Sequence, residues 1–171
     1  MKKHSMIALI GIALLLAAVP ALRGEEAGPE ALIARVRTVT LSPHFSREEI
    51  TKALIDALDA SLLMLPETTH ASEFKSRVDA VRKMFAEGVI FEDKARQYLG
   101  LAYKLVSGGQ AWAVPEELKT AYREAEIMER AKKICVALLD ASLTEYKAGR
   151  PELAVRDLIS YVIFVITPVE A

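Results

Sequence analysis

Apolar and small residues recur along this chain at helical spacing, and almost nowhere with the alternation of a strand. The clearest case is Ile50, Leu54, Ala57, Leu58, Ser61 and Leu65, which together make one face of a helix. Its start is also written in the sequence. Ser46 and Glu49 form a Ser-x-x-Glu capping box, in which each side chain satisfies a backbone donor at the helix start. Phe45 precedes the cap and can staple to Ile50, and Pro66 stops the pattern.

Other stripes repeat the theme. Pro29 opens a short helix to about Val39, with Leu32, Ile33 and Val36 on its apolar face. Phe74, Val78, Val81 and Phe85 mark a helix from about Ser72 to Glu87, with Gly88 as its natural stop. Phe91, Ala95, Tyr98, Leu99, Ala102, Leu105 and Val106 mark another, from about Phe91 to Ser107. Pro115 then opens a pattern that runs to Lys147 and ends at Gly149. That is about 33 residues, roughly 50 Å of helix, which must bend, break near Arg130 or project. Its first half is heavily charged, so its second half, from Ile134 to Leu143, should be the buried one. Pro151 opens the last helix. Its end, Tyr161 to Ile166, is wholly apolar, which by composition also suits a buried strand. No second strand exists to pair with it, so it reads as the end of a central helix. The expected fold is all-α, a single helical bundle of five to six helices with a long fifth helix.

The bundle contains an echo. Ile55 to Leu62 reads IDALDASL and Val136 to Leu143 reads VALLDASL. A duplicated helical hairpin is one reading; chance recurrence of common helix formers is the other. No period of 33 to 45 residues recurs three times, which argues against a solenoid.

The N-terminus has a different character. Lys2 and Lys3 precede an uncharged apolar run from Met6 to Val19, and Val19-Pro20-Ala21 offers small or compact residues for cleavage after Ala21. The run is shorter than the ~20 residues that a spanning helix needs. Residues 1–21 therefore read as a secretory signal, 22–45 as an arm carrying the short helix, and 46–171 as the bundle domain. The expected address is the periplasm or the cell exterior. Membrane attachment is expected only through an uncleaved signal, and no cysteine follows the run to take a lipid anchor. Loss of Lys2 and Lys3 leaves 20 cations against 23 acids, a formal charge of −3.

Composition narrows the function. Charged residues at 26% exclude a polytopic membrane protein, and 52% apolar residues exclude a disordered chain. A net charge of −1 argues against electrostatic nucleic-acid binding. One cysteine excludes an intrachain disulfide framework, a Cys-based zinc site and a CxxCH haem attachment. Cys135 lies in the most apolar part of its helix, where a thiol should be buried and inert.

Catalytic and metal signatures are weak. Glu67-x-x-His70 has the spacing of di-iron bundles, but occurs once and follows Pro66, where a polar turn is expected. His44 has no partner at metal-ligand spacing. There is no Gly-x-Ser-x-Gly elbow and no phosphate loop. Most carboxylates, among them Asp56, Asp59 and Glu129, fall opposite or beside the apolar stripes and read as a solvated face. No catalytic, cofactor-binding or metal residue is therefore expected, and no cofactor.

The candidate contact surface is the Gly-flanked loop that holds the sole tryptophan. Trp112 and Gln110 lie in it, and Tyr98 and Tyr103 on the preceding helix could line a cleft with them. The leading expectation is an exported, non-enzymatic module that binds a protein partner or another envelope component, self-association included. The second is a carrier of a small apolar ligand or cofactor inside the bundle, near Tyr98, Tyr103 and Trp112.

Overall fold

The computed structural model describes residues 27–68, 70–121 and 127–168, and among these it is all-helical. The expected signal at 1–21 lies outside the described residues. Seven helices follow in order: α1 (Pro29–Leu41), α2 (Arg47–Met64), α3 (Ala71–Ala86), α4 (Asp93–Val106), α5 (Glu116–Ala121), α6 (Ile127–Lys147) and α7 (Pro151–Ile166).

The centre is α7, which packs against α2, α4 and α6. From Ala154 to Ile166 every side chain is buried except Arg156 and Val165, which are half-buried. The apolar run Tyr161–Ile166 is thus the end of this helix and not a strand. Around it α1 packs on α2 and α6, and α3 on α2 and α4. Leu32, Ile33 and Val36 bury α1's apolar face in the common core. Each large aliphatic side chain so buried contributes roughly 1.5–3 kcal/mol.

Helix ends follow the sequence cues. The capping box at Ser46 is closed, with the Glu49 amide donating to Ser46 Oγ at 3.1 Å and the Ser46 amide to Glu49 Oε2 at 2.6 Å. Gly149, at φ 73°, ends α6 in the left-handed region that side chains avoid. α1 runs two residues beyond Val39. Thr38 and Thr40 are tolerated there because each Oγ1 donates to the carbonyl four residues back.

Three expectations need correction. The fifth helix does not run straight: α5 lies back against α6, so the two described segments do not share one axis. Leu118 of α5 shares a pocket wall with Ala131 and Cys135 of α6. On one straight helix Leu118 and Cys135 would stand about 25 Å apart. The reason is burial, since Leu118 is buried where α5 folds back and would face water on a projecting helix. Its continuity across residues 122–126 lies outside the described residues. Phe91, assigned to an apolar stripe, precedes α4 and is 60% exposed. Asp56, read as a solvated flank, is buried between α1 and α2, where Arg35 Nε reaches its carboxylate at 3.2 Å.

Candidate apolar pocket

One end of the bundle holds a pocket of about 280 Å³ lined almost wholly by carbon. Val39 and Thr40 close it from α1, Ile50 and Ala53 from α2, and Tyr161 and Phe164 from α7. Ala131, Lys132 and Cys135 supply the α6 wall, and Leu118 the contribution of α5. Two of the lining side chains, Ala53 and Ala131, are single methyls. The volume is about twice the roughly 150 Å³ apolar cavity that holds a benzene molecule.

The rim is apolar too. Phe45 is 41% exposed, Phe91 60% and Met128 62%. The two phenylalanines come from connections just before helix starts, and Phe45 and Ile50, the expected staple pair, both line the pocket. Leu41, also exposed, lines an adjoining shallow depression with Pro43, Lys132 and Lys133. Large exposed apolar side chains grouped in this way mark a binding surface more than a scattered few do.

The polar atoms of the floor are neutral and engaged. Tyr161 Oη and Thr40 Oγ1 share a hydrogen bond of 3.1 Å. Burial pushes the Tyr161 phenol above its ordinary value, and pushes the Cys135 thiol up to about 12. Neither group is an anion at neutral pH, so neither is a ready nucleophile or base. Among the described residues Lys132 is the single charged residue in the lining. Its Nζ donates to the Ser42 carbonyl at 3.3 Å and lies 3.8 Å from Glu129 Oε1.

None of the four contact residues expected from the sequence lines this pocket. Trp112 is half-buried and packs against the core, as does Tyr103. Gln110 is exposed, and its carbonyl accepts from Ser107 Oγ at 2.8 Å. Tyr98 lines a separate polar depression with Glu73 and Arg77, and the Lys94 ammonium sits 5.9 Å from its ring centroid. Tyr98 and Tyr103 are five residues apart on α4, roughly 140° around its axis, and so do not share a face.

The signal for Phe45 and Phe91 was present, since both are aromatics in connections, as Trp112 is. His44 and His70 are exposed, and Glu67 precedes α3 in the expected turn. Among the described residues no three His, Cys, Asp or Glu side chains group to hold a metal ion. No helix there is long and apolar enough to cross a membrane. Compared with protein-family models, with curated proteins and with solved structures, this chain finds no match.

Proposed function

We propose that this chain is an exported, non-enzymatic helical module that carries a small apolar ligand in the pocket between α1, α2, α6 and α7. The observation that carries this reading is the pocket itself: about 280 Å³, apolar in lining and open at an aromatic rim. Ligand sites combine such a lining with a few placed polar groups. The neutral phenol and thiol of the floor support binding over catalysis. Export rests on the N-terminal apolar run and its cleavage motif.

A second reading has its own support. Phe45, Phe91 and Met128 stand exposed around the pocket and could instead receive an apolar side chain from a protein partner or a second copy.

The uncharged fluorophore N-phenyl-1-naphthylamine tests the pocket. Its fluorescence should rise on binding the full chain. Ala131→Phe, which places a ring in the cavity, should abolish the rise while the helical CD signal is kept. Absence of any rise, or a rise that Ala131→Phe leaves intact, overturns the carrier reading.

A further inference from the structure

We infer that the pocket takes a free single-chain amphiphile with one anionic head, its tail among the apolar walls and its head at Lys132. This deepens the carrier reading and rests on it. Three observations converge.

The first is charge. Among the described residues every lining residue but one is uncharged, and the exception is a cation. A neutral hydrocarbon gives this ammonium nothing to meet, whereas a carboxylate or phosphate head pairs with it in a charge-assisted hydrogen bond.

The second is position. Lys132 lines both the apolar pocket and the shallow depression beside it. Its stem can therefore lie along the tail while its ammonium faces the mouth. The ammonium carries three donors, and its contacts to Ser42 and Glu129 are both long, at 3.3 and 3.8 Å. Lys133 lines the same depression, as do two carboxylates, Glu129 and Asp140, the latter already held by Arg37 at 3.0 Å. The mouth thus offers two ammonium groups beside these carboxylates, and only Lys132 also reaches the apolar pocket where the head of a seated ligand would emerge.

The third is volume. At roughly 30 Å³ for each methylene-sized unit, 280 Å³ holds about nine units, one short chain and not two. That suits a single-chain monomer taken from solution better than the body of a diacyl lipid.

The test is displacement of N-phenyl-1-naphthylamine from the full chain by decanoate and by 1-decanol. Decanoate should displace it better, and Lys132→Met should weaken decanoate by about tenfold while leaving 1-decanol unchanged. Lys132→Arg should restore decanoate. If Lys132→Met does not fold, added salt must weaken decanoate and not 1-decanol on the native chain. Equal displacement by the two, indifferent to position 132 and to salt, overturns the head assignment while the carrier reading stands. Failure of the fluorophore to bind at all overturns both. Binding only to vesicles of anionic phospholipid, with no response to decanoate, assigns the face to a membrane surface and overturns this inference.

Discussion

The sequence echo places Ser61 and Ser142 at equivalent positions, and both side chains are fully buried. Their hydrogen bonds differ in kind. Ser61 Oγ donates to the Leu58 carbonyl at 2.7 Å, within its own helix. Ser142 Oγ donates to the Ala154 carbonyl at 2.8 Å, from α6 across to α7. Replacing either by alanine removes one hydroxyl and adds the same helix propensity, about 0.5 kcal/mol in alanine's favour. That gain cancels when the two variants are compared. The tertiary bond at Ser142 should contribute about 1 kcal/mol net. The local bond at Ser61 competes with the helix's own ladder and should contribute close to nothing. Ser142→Ala should therefore be less stable than Ser61→Ala by about 1 kcal/mol, or roughly 3 °C in Tm for a domain of this size. Urea unfolding followed by CD at 222 nm measures the difference directly. Equal losses, or a larger loss at Ser61, would refute the assignment of tertiary weight to the α6–α7 bond.

Two other buried groups give further tests. Burial pushes the Asp157 carboxyl above its ordinary range, outweighing Arg156, whose Nε and Nη2 lie 3.2 and 3.1 Å away. A folded pKa above the unfolded one means that ionisation favours unfolding: this group's contribution is whole below the ordinary carboxylate range and is lost as pH rises through the folded value. Asp157→Asn should accordingly be more stable than the native chain at pH 7, with the gain fading in acid. Urea midpoints across pH decide it, and a variant less stable at pH 7 but matched in acid would reverse the sign. Cys135, with its thiol at about 12, leaves only about one thiol in ten thousand ionised at pH 8. Ellman's reagent should react with it only when urea unfolds the chain, and native-state reaction at the rate of a free thiol would contradict its burial.

Much of the fold was legible because helices announce themselves locally. The Ser46–Glu49 box, the stripe of Phe74 to Phe85 and the glycine stop at Gly149 all depend on neighbours within a turn or two. What was missed depends on partners distant in sequence. Asp56 is buried because α1 brings Arg35 to it, and no property of α2 alone says so. The folding back of α5 on α6 follows from what Leu118 can bury against, while the residues around it carry an unbroken helical pattern. The candidate site was the least legible part. Its walls come from Val39, Ala53, Ala131 and Phe164, on four helices. Periodicity says which face of each helix is apolar, but not which faces meet, nor where they leave a pocket between them.

The centrality of α7 bears on the order of folding. Helices α2, α4 and α6 each turn an apolar face toward a helix made after all of them. Until Pro151–Ile166 has been synthesised, those faces have no common partner, and earlier pairs such as α1 with α2 can bury only part of their apolar surface. Contacts between α2 and α7 close a loop of about a hundred residues, an entropic cost met late. A nascent chain built this way stays open until α7 arrives. Under the export proposed above, that delay would keep the chain loose enough to thread and would leave final closure to the far side.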